Sequence, residues 1–292
     1  MGTIPSLARK QTQSALRRLS ARLAFAAKHP EEPEAIHDLR VAIRRFTQCL
    51  RTFEHLFDPD IVKRFKRRLG KLMEACGEVR DCDIAQRLLR VAGLRPEDAA
   101  YAALKSRRRE AELRLVENLA RKRWVRFAER NPIRFRPQPL ASDHWNLKRS
   151  VESSAAKLLQ TMCAELFMAG NAAVAASGDY ETLHQFRLRA KRFRYTLELF
   201  QGIYPTGTER ILGVLRELQN RLGDVNDCLT TLAILEKNRV AKRLIRKVLV
   251  EREQAFRNLW HDTFSEKQCR LWCRWLGRPG AKKQSSLSSN IH

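Results

Sequence analysis

The stretch Ile36-His37-Asp38-Leu39-Arg40-Val41-Ala42-Ile43-Arg44-Arg45-Phe46 returns in the second half of the chain as Leu183-His184-Gln185-Phe186-Arg187-Leu188-Arg189-Ala190-Lys191-Arg192-Phe193. His, Arg, a second basic residue, Arg and Phe stand at the same steps in both copies. The chain therefore reads as a doubled unit that presents the same cations twice.

At about 100° per residue, His37, Arg40, Arg44 and Arg51 fall within roughly 60° of one another on a helix, a single narrow cationic stripe. Leu39, Ile43, Phe46, Leu50 and Phe53 cluster on the opposite side, in the phase of a face buried inside a helical bundle. The second copy repeats that phase: His184, Arg187, Lys191 and Arg194 lie on the cationic side, and Phe186, Ala190, Phe193, Leu197 and Phe200 lie opposite. Arg189 is the exception and sits near the apolar arc.

A second matched pair lies downstream: Cys76-Gly77-Glu78-Val79-Arg80-Asp81-Cys82 and Leu222-Gly223-Asp224-Val225-Asn226-Asp227-Cys228. His184 follows His37 by 147 residues and Gly223 follows Gly77 by 146, so the copies keep their spacing to within one residue. A glycine followed by Asp at the end of an apolar-periodic run reads as a helix stop, a tight turn and the cap of the next helix. Gly77 and Gly223 are accordingly expected just past helix ends. Asp81 and Asp227 are expected as N-caps or partners of a nearby arginine, and not as catalytic groups.

The 292 residues carry 57 Lys and Arg against 32 Asp and Glu, a formal net charge of +25. Such an excess costs self-repulsion in the folded state unless a ligand uses it. A generic solvated surface has no need to phase its cations onto one helical stripe in two places, so the pattern points to a polyanion. The seven cysteines, Cys49, Cys76, Cys82, Cys163, Cys228, Cys269 and Cys273, form no Cys-x-x-Cys pair. They read as reduced, buried small hydrophobes of an intracellular protein. Cys269 and Cys273 share a helix face, but no His or Cys follows at zinc-ligand spacing, so no metal site is expected.

No apolar run is read as approaching the roughly 18 residues of a membrane span, and Arg17, Arg18 and Arg22 interrupt the N-terminal segment, so neither membrane insertion nor secretion is expected. Residues 1–30 lack acids as transit peptides do, but Leu16, Leu19, Leu23, Ala26 and Ala27 keep the spacing of a first bundle helix. Met1-Gly2 with Ser6 touches the myristoylation pattern at low specificity.

Helical periodicity dominates and alternating strand patterns are absent, which predicts an all-α chain. Helices are expected from about Leu7 to Lys28 and from about Glu34 to Phe57. Asp58-Pro59-Asp60 breaks the second and starts a third with a seam of Val62, Phe65, Leu69, Leu72 and Cys76. A fourth begins after Asp81 and is interrupted at Gly93-Leu94-Arg95-Pro96, and a long basic helix runs from about Asp98 to Glu129. Asn131 to Pro139, with three prolines, reads as a linker. The second half repeats the order with helices from about Asp143 to Ala176, through the second histidine segment, and on to Trp275. The expected division is residues 1–138, residues 139–276, and a disordered tail over 277–292.

His37-Asp38-Leu39-Arg40-Val41-Ala42-Ile43-Arg44-Arg45 and Leu222-Gly223-Asp224-Val225-Asn226-Asp227 resemble the signature of the conserved histidine α-helical domain, the CHAD family. The resemblance spans about residues 7–276. It implies two pseudo-symmetric four-helix bundles with long helices, arising from an internal duplication, whose basic central surface binds inorganic polyphosphate. It also implies a cytoplasmic protein, since several members localise to polyphosphate granules. Carried over by position, the ligand face uses His37, Arg40, Arg44 and Arg45 in the first half and His184, Arg187, Lys191 and Arg192 in the second. The stripe adds Arg51 and Arg194, and the third helix adds Lys63, Arg67 and Lys71. Where that helix has these three cations, the second half has Glu209, Gly213 and Glu217, so the first half is expected to bind more strongly. The acidic, strand-built catalytic segment sometimes joined to this family is absent.

A phosphate chain carries charge without sequence information, so recognition is expected to rest on repeated Coulombic contacts and counterion release. Arginine offers forked donors, lysine a point charge, and histidine a donor whose charge switches near neutral pH. No catalytic residue, cofactor or enzyme activity is expected. A phosphohistidine enzyme would need an acid or metal beside His37, yet Asp38 points away from its neighbour and its aligned residue is Gln185. The alternative is nonspecific nucleic-acid binding through the same cations, but single-strand binders expose aromatics for stacking. Here Phe46, Phe53, Phe65, Phe193 and Phe200 read as core, whereas Trp124, Trp145, Trp260, Trp272 and Trp275 have no clear phase. A further reading gives both histidines a packing role, held by carbonyl groups, with only Arg and Lys binding.

Overall fold

The computed structural model describes residues 3–120, 149–204, 207–235 and 238–279. Met1-Gly2, the linker at 131–139, Trp124, Trp145 and most of the tail lie outside the described residues. Every regular element within them is helical: α1 (Ile4–Lys28), α2 (Pro33–Thr52), α3 (Pro59–Val91), α4 (Ala99–Ala120), α5 (Val151–Ala175), α6 (Tyr180–Leu199), α7 (Thr208–Ile234), α8 (Arg239–Thr263) and α9 (Glu266–Leu276). Single 3-10 turns follow α2 at Glu54–Leu56 and α6 at Gln201–Ile203.

Packing divides the chain into two compact units. One contains Gly2–Leu147 and Asn220–Asn258; the other contains Lys148–Gln219 and Leu259–His292. Helices α7 and α8 thus contribute residues to both.

In the first unit α1 to α4 pack in a closed ring, each against the next and α4 back against α1. Short connections make neighbours antiparallel. Leu16, Leu19 and Leu23 of α1 and the expected seam of α3, Val62, Phe65, Leu69, Leu72 and Cys76, are all buried. Phe46 of α2 meets Phe65 of α3 with ring centroids 5.7 Å apart. Helix α3 starts where the sequence places it. Pro59 takes the first helical position, where its missing N–H costs nothing, and Asp58 Oδ1 accepts from Asp60 N–H at 2.8 Å and Ile61 N–H at 3.3 Å. Asp58→Ala is expected to cost about 1 kcal/mol. A urea denaturation curve should show this as a lower midpoint with an unchanged slope.

The expected stop at Gly77 is corrected. Helix α3 runs unbroken for 33 residues through Gly77 and Asp81, and Gly223 likewise lies within α7. No separate helix begins after Asp81, and neither Asp81 nor Asp227 is an N-cap. A helix-interior glycine costs about 1 kcal/mol, whereas the apolar spacing continues past it through Val79, Cys82, Ala85 and Leu89, all buried. Burial of that face outweighs the glycine's local preference. The stop that does operate is Gly93, at φ 80°.

In the second unit α5 packs against α6 and α9. Ser150 and Asp179 cap α5 and α6 through their side-chain oxygens. Helix α5 is long and apolar enough to cross a bilayer, with a mean hydropathy of 1.2 over 18 residues, which corrects the expectation that no run reaches that length. Ala, Leu, Met, Phe and Gly spread around several sides of this helix, and 50% of that stretch is buried inside the unit.

Candidate functional site

Both histidine helices bury the phase assigned from sequence. Leu39, Ile43, Phe46, Leu50 and Phe53 are interior on α2 and just beyond it, as are Phe186, Ala190, Phe193, Leu197 and Phe200 on and after α6. Trp260 and Trp272 join the interior, and Trp275 lies against Tyr204 with centroids 4.8 Å apart. Stacking platforms for bases are thus not formed by these phenylalanines. His37 and His184 are exposed, and neither makes a hydrogen bond or ion pair among the described residues. Arg45, Arg51, Lys63, Arg67, Lys71 and Arg192 are exposed too; Arg44, Arg187, Lys191 and Arg194 are half-buried, and Arg189 is exposed despite its position beside the apolar arc.

Arg40 is the structural member of the stripe. It leans from α2 onto α3, donates from Nη1 to the Met73 carbonyl at 3.2 Å, and lies among Cys76, Arg80 and Asp81. Burial, and then the neighbouring Arg44 guanidinium, hold its pKa below the ordinary arginine value. Burial pushes Asp81 upward, against the pull of Arg40, Arg80 and Arg107.

The contact explains Gly77. A Cβ there would stand 3.3 Å from Arg40 Nη1, whereas a Cβ at Gly223 meets nothing within 4 Å. Gly223→Ala is therefore expected to stabilise the protein by about 0.5–1 kcal/mol, the helical gain over glycine. Gly77→Ala should gain less, because Arg40 must shift. Thermal denaturation of the two variants side by side checks the difference.

The acids of the glycine motif pair with arginines on other helices. Glu78 of α3 accepts from Arg114 of α4 at 2.9 Å, and its aligned residue Asp224 of α7 pairs with Arg252 of α8 at 2.6 Å. Asp227 lies 3.4 Å from Arg87. Val79, Cys82, Val225 and Cys228 from the two copies are all buried. The motif is a helix-pairing device, which recovers the arginine-partner half of the expectation for Asp227.

Arg40 beside Met73 and Glu54 beside Lys66 fix the antiparallel register of α2 and α3. Arg45, Arg51, Lys63, Arg67 and Lys71 make no ion pair or hydrogen bond among the described residues, although Lys66 on the same helix does. Arg44 Nε is buried without an acceptor. On α6, Arg194 lies 3.7 Å from Glu198 and 4.6 Å over the Tyr195 ring, and Gln219 of α7 donates to the Ala190 carbonyl at 3.0 Å. In place of the α3 cations, the start of α7 offers Glu209, 3.5 Å from Arg216.

Residues 10–236 match the family described as the CHAD domain. The chain belongs to the CHAD family. Among solved structures, it is similar to the CHAD domain from the plant Ricinus communis, with a TM-score of 0.65 and 18% identity, covering 94% of this chain and 92% of that one. PptA from Streptomyces chartreusis aligns with a TM-score of 0.63 and 18% identity, covering 89% of this chain and 99% of that one. None of the curated proteins compared matches the sequence. At such identities the likeness shows the fold. In this CHAD domain His37 and His184 stand on the solvent side of their helices, each opposite a phenylalanine-rich interior.

Proposed function

We propose that this CHAD domain binds inorganic polyphosphate along its cationic helix faces. The observation that carries the reading is the set of five cations on α2 and α3, Arg45, Arg51, Lys63, Arg67 and Lys71, that meet no acid among the described residues. Lys63, Arg67 and Lys71 repeat every four residues, a spacing at which like charges repel by a few tenths of a kcal/mol per pair. The fold gains nothing from this arrangement, while a chain of phosphates relieves it.

Arginine forks and lysine point charges hold successive phosphates, and the release of condensed counterions drives association. The α2–α3 face is the stronger binder, because Glu209, Gly213 and Glu217 stand where its α3 cations would be repeated. Exposed and without hydrogen-bond or ion-pair partners among the described residues, His37 and His184 serve as additional donors to the ligand. The domain acts as a binder, not an enzyme, and retention on polyphosphate granules follows from the same affinity.

Competition separates this reading from nucleic-acid binding. With labelled polyphosphate bound, duplex and single-stranded nucleic acid at equal phosphate concentration are expected to displace little of it. Full displacement by either would assign the face to nucleic acid.

A further inference from the structure

Spacing along the sequence paired Cys269 with Cys273 and left them without a third ligand. The fold supplies one. Cys163, deeply buried on α5, meets the two thiols of α9, and the three Sγ atoms all lie within 4.8 Å of one another. All three residues belong to the second compact unit.

The two helices that carry them are firmly seated. Trp272 of α9 packs edge-on against Phe167 of α5 at 5.6 Å, and Gln160 Nε2 of α5 donates to the Cys273 carbonyl at 2.8 Å. The Tyr204 hydroxyl donates to the Leu276 carbonyl at 2.8 Å, and Ser265 Oγ caps the start of α9. Cys273 Sγ lies 3.9 Å from the Gln160 carbonyl. The thiols are thus gathered by packing that does not depend on them.

We infer that Cys163, Cys269 and Cys273 form a binding site for a soft, thiophilic metal cation of the zinc, cadmium or copper(I) class, staple α9 to α5 when it is filled, and have no part in polyphosphate binding. Thiolates at the usual zinc distance of about 2.3 Å from a tetrahedral ion stand about 3.8 Å apart. Closing from the observed spacing takes about 1 Å or less, within reach of side-chain rotation. Soft sulfur donors select these ions over magnesium or calcium. A disulfide is the lesser use of the same atoms. It would engage only two of the three gathered sulfurs. A cation instead displaces the thiol protons and offsets the charge it creates.

Titration of the reduced full-length protein with cadmium tests the site. The expected result is a thiolate-to-cadmium ultraviolet band that saturates at one ion per chain, with three thiols shielded from an alkylating reagent. Cys163→Ser is expected to weaken binding by at least about tenfold. Cys49→Ser, which removes a buried thiol of the other unit, should leave binding unchanged. Because Cys163→Ser alters a buried position, Cys269→Ala with Cys273→Ala, at half-buried positions, gives the same test in a protein whose helicity is checked by circular dichroism. Absence of the band, a band unchanged in these variants, or a disulfide within the trio in air with no cadmium uptake after reduction would each overturn the inference. Polyphosphate affinity should be the same with and without cadmium.

Discussion

Reversing Lys63, Arg67 and Lys71 together to glutamate is expected to weaken polyphosphate binding by about two orders of magnitude or more near physiological salt. Loss of a phosphate contact costs about 1 kcal/mol, so three cost about 3 kcal/mol, and each 1.4 kcal/mol is tenfold in affinity. The log–log dependence on salt should also flatten by about two, from roughly 0.7 per contact on a flexible single chain. Stability should move by no more than about 0.5 kcal/mol, because the three side chains are exposed and have no partner among the described residues. Like-charge repulsion at four-residue spacing persists with the new sign. Fluorescence titration at several salt concentrations, beside a melting curve, reads both quantities. Lost affinity with a lowered melting point would mean that the cations support the bundle.

Gly170→Ala is expected to destabilise the protein by about 3 kcal/mol, with no direct effect on the ligand face. A Cβ at this position would stand 2.0 Å from Cη2 of Trp260 and within 2.5 Å of two more ring carbons. The ring has nowhere to go. It stacks on Phe264 at 4.4 Å with an angle of 2°, takes the edge of Phe186 at 5.1 Å, and donates from Nε1 to Asn171 Oδ1 at 3.0 Å. Phe186 belongs to the second histidine helix, so this cluster also anchors α6. The helical gain of alanine over glycine, about 1 kcal/mol, is too small to compensate. Chemical denaturation measures the loss, and an unchanged midpoint would show that Trp260 is not held as described.

The all-α class and the bundle-facing phases were legible because burial imposes a 3.6-residue period that sequence displays directly. Phe46, Phe193 and the α3 seam are interior for that reason. The starts of α3 and α6 were legible because Asp58-Pro59 and Asp179 satisfy the free amides of a first turn. Gly77 misled, since a glycine that ends a helix and one that admits a neighbouring side chain look alike in one dimension. Arg40 is what distinguishes them, and it reaches Met73 only in three dimensions.

The cationic face was legible residue by residue, from the stripe on α2 and the four-residue run on α3. The lack of acidic partners for Arg45, Arg51, Lys63, Arg67 and Lys71 was not, because pairing depends on which helices are neighbours. Cys163 was invisible for a similar reason: its companions lie more than a hundred residues along the chain. The same applies to Gly170, whose need for a bare α-carbon comes from an indole on α8.

The most direct test of the central claim is the salt dependence of polyphosphate binding by the unaltered protein, from about 50 to about 200 mM monovalent salt. A ligand held by the five unneutralised α2–α3 cations with help from their neighbours should give a log–log slope of about −4 or steeper. A flat dependence, with affinity retained at high salt, would contradict an account in which repeated charge contacts hold the phosphate chain.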